Sequence, residues 1–329
     1  MDEIIKFGLE ATQWLQITFP QLKGFFQFVS TLGREEFYLA LMPLIYWCLN
    51  KTSGKQLAYI FLFSTGLNNL VKHGMRGPRP FWINSTLGLA DEPTYGIPSN
   101  HMQSATVIYL FLAAWLKRRW AWTAAIFMVI VMGISRIYLG MHFVHDVIAG
   151  FLLGLLILIS LFVWQTRWEP KFQKRILGFR LLIMVMIPIV LAAIYMGVLF
   201  FIGAPDETVS WAAFIPKAEL ESIKTMTTAV STLLGIGIGL TFESSRVRFR
   251  VEGEFWKRFF RYVVGMIGAV AIWGGLKTVF PEDPLWLALP LRFVRYTLLT
   301  LWVAYYAPWL FVKIGLAEQD LKPEFGVSL

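Results

Sequence analysis

Three short polar clusters in this chain carry the residue types that phosphate chemistry needs. They are Lys72-His73-Gly74-Met75-Arg76-Gly77-Pro78-Arg79-Pro80, then Pro98-Ser99-Asn100-His101, then Ser135-Arg136 with His142 and Asp146 beyond it. Lys72, Arg79 and Arg136 are cations that repel one another unless an anion neutralises them. Guanidinium forks match the oxygens of a phosphate, and lysine adds a point charge. Ser99 and the amides near the start of the following helix add donors where the helix dipole favours an anion. His142 and Asp146 are four residues apart, which on a helix sets them on one face. The carboxylate can then hold the imidazole in one tautomer and leave the other nitrogen free to attack. His101 comes from a different helix and is suited to protonating a leaving oxygen. An anion clamp, an oriented nucleophile and a separate acid make a phosphoryl-transfer site.

The elements that must position these residues are membrane spans. The 329 residues are 57% apolar and 16% charged, against roughly 45–50% and 25% for an ordinary globular domain. Long apolar runs recur, so lipid is the solvent for most of the chain. This composition excludes a secreted disulfide scaffold, a disordered tail and a soluble enzyme, and the single Cys48 makes no intramolecular disulfide. Nine spans are expected, at about 36–49, 56–73, 101–116, 120–139, 142–164, 181–203, 224–242, 262–280 and 290–312. Residues 4–19 are expected to form an interfacial amphipathic helix, and the Met-Asp-Glu start shows no cleavable leader. The fold class is therefore an all-α polytopic bundle, since lipid demands internally satisfied backbones. Gly150 with Gly154, and Gly235, Gly237 and Gly239, mark close helix contacts rather than a phosphate loop.

Connectivity adds two expectations. An even number of crossings separates the three clusters, so all lie at one membrane face. Lys51, Lys55 and the basic segments 117–119, 167–180 and 246–261 alternate to the other face. Such a bias in short loops marks the cytoplasm, so the site is expected to face away from it, in a plasma or inner membrane. The net charge of +9 then reflects basic loops at anionic headgroups, with no nucleic-acid partner.

In order, spacing and residue type, Lys72-x6-Arg79-Pro80, Pro98-Ser99-Asn100-His101 and Ser135-Arg136-x5-His142-x3-Asp146 resemble the three signature motifs of the type-2 phosphatidic acid phosphatase superfamily. The resemblance covers residues of about 36–165. It implies a catalytic helical core there, preceded by an N-terminal segment (1–35) and followed by additional spans (166–329). It also implies a transiently phosphorylated histidine, with no metal and no cofactor. By motif position His142 is the nucleophile, Asp146 orients it, and His101 is the general acid. Lys72, Arg79, Ser99 and Arg136 hold the phosphate, with Asn100 beside them. Asn100 departs from the family's commonest pattern, which has glycine there. Asparagine tolerates left-handed backbone, so adjusted donor geometry is expected rather than lost activity. The Gly33-x-Glu35-x-Phe37-Tyr38…Pro43…Trp47 segment is similar to the sphingosine-phosphate phosphatase branch.

Other polar residues have plainer readings. Arg76 reads as a snorkelling anchor, His73 as a satisfied polar residue, and His145 as a rim residue rather than a metal ligand. Trp82 and Tyr95 read as interface anchors, and residues 181–312 show few buried charges and no constellation. These later spans are read as serving packing, homo-oligomerisation or a substrate groove. The expected function is hydrolysis of a lipid phosphomonoester or pyrophosphate on an acyl, isoprenoid or sphingoid tail. The alternatives are a lipid phosphotransferase using the same site and a non-enzymatic anion or lipid transporter.

Overall fold

The structure, a computed structural model, describes residues 2–320. Among the described residues the regular structure is helical, and the one β feature is an isolated bridge between Phe249 and Gln319. The principal helices are α1 (Asp2–Thr18), α2 (Lys23–Thr31), α3 (Glu35–Leu44), α4 (Lys51–Met75), α5 (Asn100–Leu116) and α6 (Arg119–Tyr138). They continue with α7 (Val144–Arg167), α8 (Leu177–Ile202), α9 (Ile215–Phe242), α10 (Phe255–Val279), α11 (Leu285–Leu301) and α12 (Ala307–Lys313). The all-α expectation holds, whereas the expected nine spans are not all matched by described helices long and apolar enough to cross a membrane. By length and composition, six described segments can cross a membrane: Arg119–Tyr138, Val144–Arg167, Leu177–Ile202, Ala212–Val247, Phe255–Val279 and Leu285–Lys313. Phe37–Leu49 is apolar but shorter.

The helices α4 and α5 fall outside that group, α4 as the more polar and α5 as only 17 residues long. They carry amides and hydroxyls that bond to each other instead of facing lipid. Asn68 Nδ2 donates to Gln103 Oε1 at 2.7 Å, and Gln103 Nε2 donates to Ser64 Oγ at 2.7 Å and to the Ser64 carbonyl at 2.8 Å. All three side chains are buried, so their polarity is satisfied within protein, as it must be away from water.

The chain divides into two compact units, each discontinuous in sequence. The first comprises Met1–Tyr38, Ser64–Ser160 and Tyr195–Thr225; the second comprises Leu39–Phe63, Leu161–Ile194 and Met226–Leu329. In the first, Lys117 adopts a left-handed conformation (φ 53°) that closes α5, and the chain reverses at once into α6. Gly150 and Gly154 of α7 let that helix meet α5, because a Cβ on either would lie 2.5 Å from the Ser99 carbonyl or 2.9 Å from that of Gln103. The helix α1 packs inward through Gly8, whose Cβ would lie 2.4 Å from the Phe143 ring. Its Gln16 also donates to the carbonyls of Leu87 and Tyr138 at 2.9 and 2.7 Å.

In the second unit, Glu243 and Arg261, at the two ends of the segment expected to be a basic loop, are buried instead. Glu243 is fully buried and accepts Lys51 Nζ at 2.7 Å and Lys55 Nζ at 2.9 Å. Arg261 is 1% exposed and donates to the carbonyls of Leu316, Val251 and Glu252. A buried charge needs partners, and for Glu243 they come from the start of α4, remote in sequence, which spacing alone does not reveal. Gly235, Gly237 and Gly239 are packing residues: an added Cβ would approach Thr300, Met184 and Ala304 within 2.2, 3.0 and 2.6 Å.

Candidate active site

All eight residues expected at the site lie in the first unit. Lys72 sits near the end of α4 and Arg79 just before a short helix at Pro80–Ile83. Ser99 caps α5 by accepting the Met102 amide at 3.4 Å, and Asn100 and His101 form its first turn. Arg136 lies in the last turn of α6 and Asp146 in the first turn of α7. Lys72, Arg79, Ser99, Arg136, His142 and Asp146 are each no more than 2% exposed.

His142 corrects one detail. It does not share a helix with Asp146 but sits in the turn before α7, and the pair meet because Asp146 caps that turn. Asp146 Oδ2 accepts the Phe143 amide at 2.9 Å and lies 3.5 Å from His142 Nδ1. The other ring nitrogen, Nε2, is 3.2 Å from Arg79 Nη1. With Nε2 facing a guanidinium donor, the ring proton belongs on Nδ1 toward the carboxylate, the arrangement that leaves Nε2 as a nucleophile. Burial, with Arg79, Arg136 and Lys72 nearby, holds the His142 imidazole well below its ordinary range, so the ring is neutral at pH 7.

The cations converge on a residue that sequence reading missed. Glu92 stands between the two arginines, with Oε2 accepting Arg136 Nη2 and Oε1 3.4 Å from Arg79 Nη2. Burial alone would push the Glu92 carboxyl up. Arg79 and Arg136, and after them His101 and Lys72, hold it well below the usual range instead. Thr94 joins the same cluster: its carbonyl accepts Arg79 Nε, and its hydroxyl accepts Arg79 Nη2 at 3.1 Å and lies 3.5 Å from Lys72 Nζ. The N-terminal segment contributes as well. Ser30 Oγ accepts Arg136 Nη1 at 2.8 Å, and a Cβ on Gly33 would lie 2.6 Å from His101 Cδ2. Three cations needing a counter-charge could have pointed to Glu92 in the intervening polar loop. No pattern in the sequence points to Ser30.

Several plainer readings change. Asn100 is the first residue of α5 and is not among the residues with positive φ, so the left-handed argument does not apply to it. Trp82 and Tyr95 are 5% and 1% exposed, and Trp82 stacks on Phe214 at 5.2 Å, so neither is an interface anchor. Arg76 is held by Glu219 and the Gly203 carbonyl rather than snorkelling. His73 is buried, with Nδ1 2.6 Å from the Tyr195 hydroxyl and Nε2 2.9 Å from Glu219 Oε1. His145 is 39% exposed, with Nε2 3.1 Å from Asp146 Oδ1 and its ring stacked on Phe143. Among the described residues no three His, Cys, Asp or Glu side chains converge on one point. The assembled groups can bind a tetrahedral anion, present an imidazole nitrogen to it, and supply a second imidazole from α5.

The chain was also compared with known proteins. The chain matches the PAP2 superfamily over residues 54–170 and the transmembrane extension of PAP2 superfamily phosphatases over 227–319. It is similar to sphingosine-1-phosphate phosphatase 1 of Rattus norvegicus, 33% identical over 141 residues, covering 41% of this chain and 33% of that protein. It is also similar to undecaprenyl-diphosphatase of Sulfolobus acidocaldarius, 33% identical over 138 residues, covering 40% and 66%. A third relative is phosphatidylglycerophosphatase B of Bacillus subtilis, 28% identical over 151 residues, covering 42% and 72%. The chain spans about a third of the length of the sphingosine-1-phosphate phosphatases it matches. Among solved structures it is similar to a transmembrane PAP2-type phosphatidylglycerolphosphate phosphatase from Bacillus subtilis, with a TM-score of 0.45 and 23% identity, covering 51% of this chain and 89% of that one.

Proposed function

We propose that this chain, which belongs to the PAP2 superfamily, is a membrane lipid phosphate phosphatase working through a phosphohistidine. The observation that carries the reading is His142 Nε2 at 3.2 Å from Arg79 Nη1, with Asp146 on the opposite ring nitrogen. Nε2 attacks phosphorus, and the bond from phosphorus to the lipid oxygen breaks. His101 gives that oxygen its proton, and the lipid alcohol leaves. A water then loses a proton to His101 and attacks the phosphorus, breaking the bond to nitrogen and releasing inorganic phosphate. Arg79, Arg136 and Lys72 neutralise the phosphoryl oxygens throughout, with Ser99 and Asn100 at the helix start nearby. The substrate is a phosphomonoester or pyrophosphate on a sphingoid, isoprenoid or acyl tail, a reading supported by the names of the sphingosine-1-phosphate, undecaprenyl-diphosphate and phosphatidylglycerophosphate phosphatases among the relatives.

Phosphate release by purified protein from a sphingoid-base phosphate, an isoprenoid pyrophosphate and phosphatidic acid tests this directly. Release is expected to persist in a chelator. Loss in chelator with recovery on adding a divalent ion would overturn the metal-free mechanism. Vanadate, which adopts the five-coordinate geometry of phosphoryl transfer, is expected to inhibit. Arg79→Ala or Arg136→Ala should weaken that inhibition about 10- to 100-fold, since each removes a charge-assisted fork. Glu92→Gln should strengthen it, because the carboxylate competes with the anion for both guanidinium groups. Indifference to vanadate at millimolar concentration, or a weaker hold in Glu92→Gln, would count against the clamp.

We further place the site on the extracytoplasmic face of a plasma or inner membrane. Lys51 and Lys55 are engaged by Glu243, so the charge bias comes from the basic segments 117–119, 167–180 and 246–261. Cysteine labelling on intact cells, in a Cys48→Ala background, checks it. Both Ser85 and Arg118 are exposed. Ser85→Cys should react with a membrane-impermeant reagent and Arg118→Cys should not; the reverse pattern would invert the topology.

A further inference from the structure

Five polar side chains with no part in that chemistry meet where α4 ends. His73 and Arg76 come from the end of α4, Tyr95 from the loop before α5, Tyr195 from α8 and Glu219 from α9. All lie in the first unit. The Glu219 carboxylate is the hub. Oε1 accepts Tyr95 Oη at 2.6 Å and Arg76 Nε at 3.0 Å, with His73 Nε2 2.9 Å away, and Oε2 accepts Arg76 Nη2 at 3.2 Å. The second ring nitrogen of His73 lies 2.6 Å from the Tyr195 hydroxyl. A half-buried carboxylate with this many donors has little freedom to move, and its partners are fixed with it.

What it fixes is the segment that holds Arg79. Tyr95 is 1% exposed, and its own main-chain carbonyl accepts Arg79 Nη2 at 2.8 Å. The neighbouring Thr94 takes Arg79 Nε and Nη2. Arg79 is left with Nη1 free of this segment, and Nη1 reaches the Met141 carbonyl at 2.8 Å and His142 Nε2 at 3.2 Å. The position of residues 94–95 is therefore the position of the guanidinium relative to the attacking nitrogen. The same carboxylate also braces His73, the residue next to Lys72.

We propose that Glu219, acting through the Tyr95 side chain, is a positioning residue that sets Arg79 against His142 Nε2. The spans after the catalytic motifs thereby take part in building the phosphate clamp. This rests on the phosphatase reading for its consequence but not for its readout. An arginine displaced by about 1 Å loses much of its grip on a transferring phosphoryl group, a matter of about 10²-fold in rate.

Glu219→Gln keeps the size of the side chain and removes its charge; Tyr95→Phe removes one donor and is the milder change. In each, vanadate affinity is expected to fall about tenfold, with kcat falling more than KM rises. Affinity is measured twice, by inhibition of phosphate release and by the vanadate-dependent rise in Tm of the full-length protein. The second measurement needs no turnover, so it stands even if no lipid phosphate is hydrolysed. In an Arg79→Ala background Glu219→Gln should have no further effect on vanadate, because its influence passes through the missing side chain. A lowered Tm with wild-type vanadate affinity would overturn the proposal, and so would a Glu219→Gln effect that persists undiminished without Arg79.

Discussion

His142→Ala is expected to lose phosphate release by about 10⁴-fold or more, because it removes the nitrogen proposed to form the covalent intermediate. The variant should still fold. The ring is buried, but its neighbours are Arg79 and Asp146 rather than a packed apolar core. With a radiolabelled lipid phosphate, wild-type protein quenched during turnover should carry acid-labile label on a base-stable bond, the behaviour of a phosphoramidate. The same label should be missing from His142→Ala. Undiminished turnover in that variant, or label on a hydroxyl or carboxyl side chain, would refute the assignment. Asp146→Asn is expected to lose less, since it weakens orientation of the ring without removing Nε2.

The second large effect concerns the leaving group. His101→Ala should lower hydrolysis of an alkyl phosphate by about 10²- to 10⁴-fold, the usual worth of general acid catalysis. With an aryl phosphate whose phenolate leaves without a proton, the first step should be nearly spared. A burst of aryl alcohol should then precede slow release of phosphate, because the second step still needs a base for water. Equal losses with both substrates and no burst would remove His101 from the role of acid. Gly33 offers a gentler handle: a Cβ there would press on the His101 ring at 2.6 Å. Gly33→Ala should therefore reproduce part of the leaving-group dependence without removing a titratable group.

The grouping of the candidate site was legible in the sequence because its residue types have few other uses in lipid. Lys72, Arg79, Arg136, His101, His142 and Asp146 are costly in an apolar chain, and their order and spacing narrow the explanation to an anion site. The helical class was equally legible, from apolar runs that only helices can carry through a bilayer. Reading failed where a polar residue's partner was remote in sequence. Arg76 resembled a snorkelling anchor until Glu219, 143 residues away, proved to hold it, and Tyr95 resembled an interfacial aromatic until its hydroxyl met the same carboxylate. Glu92, Thr94 and Ser30 escaped notice because loop position and single hydroxyls carry no periodic signal.

Residue types and spacing thus single out the polar side chains that the fold gathers in one place, and hydropathy requires helices to carry them. The tertiary structure alone decided what fills the space between the cations, which ring nitrogen of His142 faces Arg79, and which later residues brace the loop holding that arginine. The division has a physical cause. Hydrophobic patterning and the cost of a lone charge in lipid are properties of the chain that any sequence displays. The pairing of one buried charge with another depends on close approach between distant segments, and distance in space is not written in distance along the chain.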